Sequence, residues 1–257
     1  MITSTSNPRV KWVRALQAKR RAREEEGLFV VEGIRLAREA VQAAVPARLV
    51  LHTDRLDARG RGLVNSLARL GAEVEVVSEP VMAACSTTET PPGLLAVLPL
   101  PALPIPETMD LVLVADALSD PGNLGTLLRT AAAAAVQAVF LTEGTVDPYN
   151  PKVVRGGMGA HFRLPLQLLA DDELVPRLSG LALWLAEAGQ GTAYDRVDWR
   201  APSALIIGGE AHGPRPALRN LAPHQVHIPM PGGTESLNAA VAAAVILFEA
   251  RRQRGST

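Results

Sequence analysis

The sequence of 257 residues contains a single cysteine, only three lysines among its basic residues, and no net charge. The lone Cys85 excludes an intramolecular disulfide and a cysteine cluster for zinc. The histidines from His161 onward lack the helical i,i+4 pairing that is typical of metal ligands, so we predict no metal site. The 26 basic and 26 acidic side chains balance, so the total charge does not indicate a polyanionic partner. A local basic patch is still compatible with one.

Long apolar segments are also absent. The first residues, MITSTSNPRVKWVR, lack the apolar core of a signal peptide. No uninterrupted apolar stretch reaches the length that is needed to cross a bilayer. We therefore expect a cytoplasmic protein without a membrane partner.

The chain does contain enough apolar material for a folded core, since 47% of its residues are hydrophobic and 20% are charged. Over residues 1–98, short apolar strands alternate with helical segments, which predicts a small α/β domain. The next segment contains PLPALPIP. Because proline fixes φ and removes N–H donors, we predict a linker over residues 99–109. A second α/β domain is predicted over residues 110–257.

The strands predicted in the second domain are continuous apolar runs, such as DLVLVAD and SALIIGGE, without polar alternation. Runs of this kind are typical of strands that are covered on both faces, so we predict a mostly parallel sheet. The chain then closes on a long alanine-rich helix, SLNAAVAAAVILFEARRQR.

Three of these strands end in loops that are rich in glycine and small polar residues. Because ligands bind at the carboxyl ends of parallel strands, we expect the three loops to gather at one edge of the sheet and to hold a ligand. Glycine there would let the ligand lie against the main chain. The loops are DPGN (residues 120–123), GGEAHG (208–213) and PGGTESLN (231–238).

None of the three loops fits a common nucleotide-binding or hydrolase motif. The second loop has the glycine spacing of a phosphate loop, but Pro214 and Arg215 follow Gly213 where that motif needs Lys and Ser or Thr. No Rossmann fingerprint follows any strand, and Ser236 lacks the G-x-S-x-G context of a hydrolase. Each loop alone is also typical of an ordinary turn or helix cap. The three together favour a binding site.

The start of the chain is strongly basic. Residues 7–23, NPRVKWVRALQAKRRAR, predict one helix with a thin apolar stripe among arginines and lysines. Two interpretations remain open, a solvated helix face and a helix that contacts RNA. The second interpretation assigns RNA contacts to Arg9, Lys11, Arg14, Lys19 and Arg20.

Three segments resemble, in order and spacing, the motifs of the SpoU (TrmH) class of RNA ribose 2′-O-methyltransferases in the SPOUT superfamily. They are DPGNLGTLLRTAAAAAVQAVFL, LIIGGEAHGP and IPMPGGTESLNAAVAAAVILFE. The segment NPKVVRGGMGAHFRLPL between them is similar as well, but it has Gly156, Gly157 and Met158 where a small residue and Ser commonly precede the Gly. The first domain resembles the small ribosomal-protein-like RNA-binding module that often precedes this catalytic domain.

The resemblance implies an α/β fold in which a mostly parallel C-terminal sheet carries a deep trefoil knot. It further implies that S-adenosyl-L-methionine binds in a bent form inside that knot, and that two chains form a homodimer through the C-terminal domain. The implied reaction is methylation of a ribose 2′-hydroxyl in structured RNA, with rRNA favoured over tRNA. The alternative is an RNA-binding protein of the same fold with little or no methyl transfer.

The resemblance also implies roles for single residues. Arg129 would act on the ribose and its neighbouring phosphate, Asn123 would position Arg129 or the substrate, and Asn238 would face the arginine. Glu210 would either pair with Arg129 or shape the pocket, and a simple helix-capping role is also open. Arg155 would contact RNA. The residues implied at the cofactor are Gly208, Gly209, Ile228, Met230, Ser236 and Leu237.

Overall fold

The computed structural model describes residues 1–209 and 213–255. The chain forms two compact units. The N-terminal unit comprises Met1–Pro101 together with Tyr149–Phe162. The C-terminal unit comprises Ala102–Pro148 together with Arg163–Thr257. The segment 149–162 therefore groups with the N-terminal unit, although its neighbours along the chain belong to the other.

The N-terminal unit contains a four-stranded mixed sheet in the order β1-β4-β2-β3. β4 is antiparallel to both of its neighbours, whereas β2 and β3 are parallel. Short strands that alternate with helices were predicted over this part of the chain from the sequence. Their bounds are Leu28–Glu32 for β1, Leu49–His52 for β2, Glu73–Val76 for β3 and Leu94–Pro99 for β4.

Helices cover both faces of this sheet. Phe29 and Val31 of β1 belong to one apolar cluster, and their neighbours Leu28 and Val30 belong to a second, because successive side chains of a strand point to opposite faces. The first cluster includes residues of α3, α4 and α7, and the second includes residues of α1 and α5. The helices of this unit are α1 Pro8–Ala18, α2 Arg20–Glu26, α3 Ile34–Gln42, α4 Ala58–Arg69, α5 Glu79–Cys85 and α7 Pro151–Gly157, followed by a 3₁₀ helix at Ala160–Phe162.

The single basic helix predicted over residues 7–23 is wrong, because the chain breaks at Lys19 with φ −121° and ψ 120°. Arg23 of α2 is 4% exposed, and its Nη1 atom donates to the carbonyl oxygen of Leu16 at 2.6 Å and to that of Gln17 at 3.3 Å. A helix leaves its last carbonyl groups without intrahelical partners, and the buried guanidinium satisfies two of those in α1. At least one arginine of the basic segment, Arg23, therefore stabilises the fold.

The C-terminal unit contains, within its described residues, a seven-stranded sheet in the order β7-β6-β5-β10-β8-β11-β9. Every strand pair in it is parallel, which confirms the predicted parallel α/β architecture. The strands are β5 Leu111–Asp116, β6 Ala138–Leu141, β7 Leu166–Leu168, β8 Ala182–Ala186, β9 Thr192–Ala193, β10 Ser203–Gly208 and β11 His224–His227. The helices are α6 Pro121–Ala133, α8 Asp171–Arg177, α9 Pro216–Leu221 and α10 Ala239–Arg254.

The last helix, α10, packs against α6 and β10. Its buried residues Ala243, Ile246, Leu247 and Ala250 recur at helical spacing and form one stripe. At its C-terminal end, Nη2 of Arg254 donates to the carbonyl oxygens of Asp110 and Ala201, each at 2.7 Å. Burial lowers the pKa of Arg254. Over the described part of the chain, none of the helices combines the length and apolar character needed to span a bilayer.

Candidate functional site

A cavity of about 590 Å³ lies at the carboxyl ends of β10, β8 and β11, which are neighbours in the sheet. Its volume falls in the range of small-molecule sites. All six residues that the sequence implied at a cofactor line this cavity, and Asn238 lines it too. The cofactor set is Gly208, Gly209, Ile228, Met230, Ser236 and Leu237.

The first and third loops are joined directly by a hydrogen bond. Nδ2 of Asn238 donates to Oδ1 of Asn123 at 2.8 Å. Asn238 also caps α10, because its Oδ1 accepts from the backbone N–H groups of Ala240 and Val241 at 3.0 and 3.2 Å. The start of α6 is fixed in the same way, since Oδ1 of Asp120 accepts from the backbone N–H of Asn123 at 2.7 Å.

The second loop is glycine-rich because the main chain folds tightly onto itself there. A Cβ atom on Gly208 would lie 2.2 Å from the backbone nitrogen of Pro214, and one on Gly209 would lie 2.6 Å from the carbonyl oxygen of Ala117. Neither position has room for a larger residue. Sequence reasoning attributed these glycines to a ligand, whereas packing of the protein against itself already requires them.

The glycines of the third loop have no such constraint. A Cβ atom on Gly232 or Gly233 would meet no atom of the described residues within 4 Å. Gly233 has φ +75°, and its N–H donates to the carbonyl oxygen of Met230 at 3.1 Å, so this glycine serves a tight turn. The turn is exposed, and neither glycine lines the cavity.

Arg129 lies on α6, and its side chain is exposed. Among the residues that the structure describes, it has no ion-pair or side-chain hydrogen-bond partner, and it does not line the cavity. Asn123, on the same helix, is half-buried. Glu210, the fourth residue implied in catalysis, lies outside the described residues.

Sequence reasoning missed a buried ion-pair network behind the second loop. Asp116, at the end of β5, is fully buried. Its carboxylate accepts from the backbone N and from Nε of Arg215, both at 2.6 Å, and from Oγ1 of Thr142 at 2.7 Å. Nη2 of Arg215 also donates to Asp171 at 2.7 Å. Arg215 directly follows the cavity-lining Pro214, so the network fixes the path of this loop.

The charges in this network act on each other. Burial alone would lower the pKa of Arg215, but its hydrogen bonds to Asp116 and Asp171 outweigh that effect, and the pKa is raised. The guanidinium therefore stays charged. An aspartate directly after an apolar strand was visible in the sequence, yet nothing there linked it to an arginine 99 residues later.

A second ion pair, also missed, lies in the cavity wall. Glu187 follows β8, and its Oε1 atom pairs with Nη1 of Arg219 on α9. The side chain of Glu187 is 14% exposed and that of Arg219 is 40% exposed. Both residues line the cavity.

The basic residues implied in RNA binding fall into two groups. Arg9 pairs with Glu73 and Glu75 at 2.5 and 2.7 Å, and Arg20 pairs with Glu24 at 2.6 Å. Arg155 of α7 lies 3.5 Å from the buried Glu32 and also donates to Thr87. The other group has exposed side chains and consists of Lys11, Arg14 and Lys19.

The described residues contain no group of three or more His, Cys, Asp or Glu side chains that could hold a metal ion. Cys85 is 1% exposed, and burial raises the pKa of its thiol to about 11. It is thus a small apolar group of the core.

Comparison with known proteins identifies two segments of the chain that match known families. Residues 110–248 match the SpoU rRNA Methylase family, and residues 7–96 match the MRM3-like substrate binding domain. The chain is 37% identical to an uncharacterized tRNA/rRNA methyltransferase of Synechocystis, over 98% of this chain and 94% of that protein. It is 33% identical to the 23S rRNA (guanosine(2553)-2′-O)-methyltransferase RlmP of Bacillus subtilis, over 97% and 98% of the two chains.

Solved structures agree with these matches. The SpoU methyltransferase AviRb of Streptomyces viridochromogenes, crystallised with the cofactor AdoMet, superimposes with a TM-score of 0.86 at 31% identity. The match covers 96% of this chain and 98% of AviRb. The parallel sheet with its three loops, the cavity that two of them line and these similarities confirm the resemblance read from the sequence: the chain belongs to the SpoU rRNA methylase family.

Proposed function

We propose that this protein transfers a methyl group from S-adenosyl-L-methionine to a ribose 2′-hydroxyl of ribosomal RNA. The observation that carries the proposal is the hydrogen bond between Asn123 and Asn238. It joins the start of α6, the helix that carries the exposed Arg129, to a loop that lines the cavity. The rRNA target is supported by the name of the Bacillus subtilis relative and by the substrate-binding domain matched over residues 7–96.

The cavity fits this cofactor. Ile228, Met230 and Leu237 offer apolar surface to an adenine ring, and Gly208 and Gly209 offer main chain without side-chain bulk. When bound, the cofactor supplies a methyl group that is already activated on a sulfonium centre. The protein therefore has to orient the acceptor hydroxyl and assist the loss of its proton.

Arg129 is suited to the acceptor rather than to the cofactor. Its guanidinium is exposed and can donate two parallel hydrogen bonds to an RNA phosphate next to the target ribose. A guanidinium remains protonated, so it does not itself act as the base. In our proposal it fixes the phosphate, and the hydroxyl proton leaves through that phosphate. Asn123 and Asn238 hold the N-terminal ends of α6 and α10 together. The role of Glu210 stays a prediction.

We further propose that the N-terminal unit binds the RNA, as the resemblance to a ribosomal-protein-like module implies. The exposed Lys11, Arg14 and Lys19 are its best candidates for phosphate contacts. Arg9 and Arg20 are already paired with glutamates, so phosphate would have to compete for them. The cytoplasm is the proposed location.

The homodimer predicted through the C-terminal domain is supported by the outer face of α10. Val241 and Phe248 are 47% and 51% exposed, and the half-buried Val245 lies between them on the same face. We call Val241, Val245 and Phe248 the outer stripe. A contiguous apolar stripe on a soluble protein is typical of an interface, and a second copy of this chain would cover it.

The trefoil knot is likewise proposed here. α10 is slim, because alanine fills many of its positions, and it packs against both α6 and β10. Such a helix suits passage through a loop of the chain. The knot would bring the second and third loops to one cofactor, and the proposal is supported by the cavity that both loops line.

The experiment is methyl transfer to ribosomal RNA in vitro, with mass mapping of ribose methylation in RNA from a strain that lacks the gene. We expect one ribose 2′-O-methyl group to disappear in the deletion strain and to be restored by the purified protein with S-adenosyl-L-methionine. Calorimetric binding of the cofactor without any transfer would instead favour the alternative of an RNA-binding protein.

A further inference from the structure

The described part of the cavity wall contains one pair of charged side chains. Among the described lining residues, Glu187 and Arg219 are the only acidic residue and the only arginine or lysine. The other described lining residues offer apolar side chains, backbone, His227 and a few further polar side chains. An adenosine moiety is uncharged and suits that part. Glu187 and Arg219 must therefore serve another part of the ligand or only the fold.

Both charged groups are held in place by the main chain around them. Nε of Arg219 donates to the carbonyl oxygen of Pro214 at 3.2 Å, and a Cβ atom on Gly213 would lie 3.2 Å from Nη2 of Arg219. The backbone N–H of Glu187 donates to the carbonyl oxygen of Val226 at 3.0 Å. The pair thus links the loop after β8 to the turn that follows the second loop, and both groups face one cavity.

Each group keeps unused hydrogen-bonding capacity. Arg219 uses Nε and Nη1, whereas Nη2 makes no hydrogen bond to any described residue. Oε1 of Glu187 is taken by Arg219, but Oε2 has only a long contact of 3.4 Å with Nε2 of Gln225. With respect to the described residues, the cavity wall therefore presents an unused guanidinium N–H donor beside a carboxylate acceptor.

We infer that Glu187 and Arg219 bind the amino-acid end of the cofactor, with Oε2 of Glu187 accepting from the α-ammonium group and Nη2 of Arg219 donating to the α-carboxylate. A dipolar pair in the wall is complementary to a zwitterion, and charge-assisted hydrogen bonds of this kind are the strong ones. A ribose diol would need the acceptor alone and would leave Nη2 of Arg219 without a partner on the ligand. The inference rests on the proposed function, since it concerns the cofactor of that reaction.

The test compares two ligands that differ at the amino-acid end. S-adenosyl-L-homocysteine carries the α-ammonium and α-carboxylate groups, and 5′-deoxy-5′-methylthioadenosine lacks both but keeps adenine and ribose. Calorimetry with the wild-type protein should give at least about tenfold tighter binding of the first ligand. Equal affinity would overturn the inference and needs no variant.

The variants Glu187→Gln and Arg219→Gln locate the effect. Each should weaken binding of S-adenosyl-L-homocysteine about tenfold or more and leave binding of methylthioadenosine within about twofold. Arg200→Gln is the matched control, because Arg200 also forms an ion pair, with Asp198, but does not line the cavity. It should change neither affinity.

Each remaining outcome has a distinct meaning. If a variant binds both ligands more weakly by the same factor, the residue serves the ribose or the fold. If a variant binds both ligands as tightly as wild type, the residue does not contact the ligand. Either result overturns the inference. Thermal unfolding of each variant shows whether a loss of ligand affinity comes from misfolding. In that case the comparison of the two ligands on the wild-type protein decides. A wild-type protein that binds neither ligand nor S-adenosyl-L-methionine would instead refute the proposed function.

Discussion

The side-chain amide of Asn238 donates a hydrogen bond of 2.8 Å to Oδ1 of Asn123, across 115 residues of sequence. One side chain thereby holds two helix starts together, since Asn238 also caps α10 through two backbone N–H groups. Its two roles use different atoms, with Nδ2 for the link and Oδ1 for the cap. They can therefore be separated by mutation.

Replacing Asn238 by Ser should keep the cap and remove the link, whereas Asn238→Ala should remove both. We expect Ala to lower the free energy of unfolding by about 1 kcal/mol, the usual cost of a lost N-cap, and Ser to lower it much less. Both should reduce methyl transfer, because both separate α6 from the third loop. Urea unfolding and transfer assays measure the two effects. Full activity of Asn238→Ser would show that the link is dispensable.

Arg129→Ala should abolish methyl transfer, with a loss of at least about 10²–10³-fold, because the charged donor at the acceptor phosphate is gone. Cofactor affinity should be unchanged, since Arg129 does not line the cavity. The free energy of unfolding should change by no more than about 0.5 kcal/mol at this exposed position. Arg177→Ala, on the exposed face of α8, is the control and should leave methyl transfer unchanged. Wild-type turnover by Arg129→Ala would contradict the role assigned to Arg129.

Arg215→Ala should destabilise the protein by about 2–3 kcal/mol, as measured by urea unfolding. The change leaves the fully buried Asp116 without its guanidinium partner, but the effect is reduced because the side chain of Arg215 is 27% exposed. Cofactor affinity should fall as well, because the second loop loses its anchor. Arg200→Ala breaks an exposed ion pair and should destabilise the protein much less than Arg215→Ala does. Equal losses in the two variants would contradict this role for Asp116.

Phe248→Glu should convert the proposed homodimer into a monomer, because it places a charge in the outer stripe of α10. Light scattering at micromolar concentration reports the mass. Val175→Glu is the control, since Val175 is comparably exposed, at 47%, on α8. A wild-type protein with the mass of one chain would reject the dimer outright.

The stabilising effect of Glu249 should depend on pH. Hydrogen bonds from Arg252 and then from Gln253 lower the pKa of Glu249 to about 2. Because the folded-state pKa lies below that of the unfolded chain, the stabilisation is complete above about pH 4.5 and is lost as the pH falls toward 2. The difference in unfolding free energy between wild type and Glu249→Gln should therefore shrink from pH 6 to pH 3. A difference that stays constant over this range would exclude the carboxylate as its source.

The strands and loops that carry the site were predictable from sequence, and several other elements were not. β5 and β10 are largely apolar runs that end in aspartate and glycine, so their type follows from local pattern, whereas β11 has polar residues at three of its four positions. β9 has two residues and β7 has three, so neither is long enough to show the alternating pattern from which a strand can be predicted. At the break at Lys19, Arg23 is buried against the last carbonyl groups of α1, and the basic composition of the segment gave no sign of that burial.

The sequence by itself determined that a parallel sheet would present three loops at one edge, because apolar runs and glycine positions are local properties. Only the tertiary structure decided which charges meet there. Asp116 reaches Arg215, and Glu187 reaches Arg219, because β10 lies between β5 and β8 in the sheet. That strand order is set by the packing of the whole unit, and no spacing along the chain encodes it.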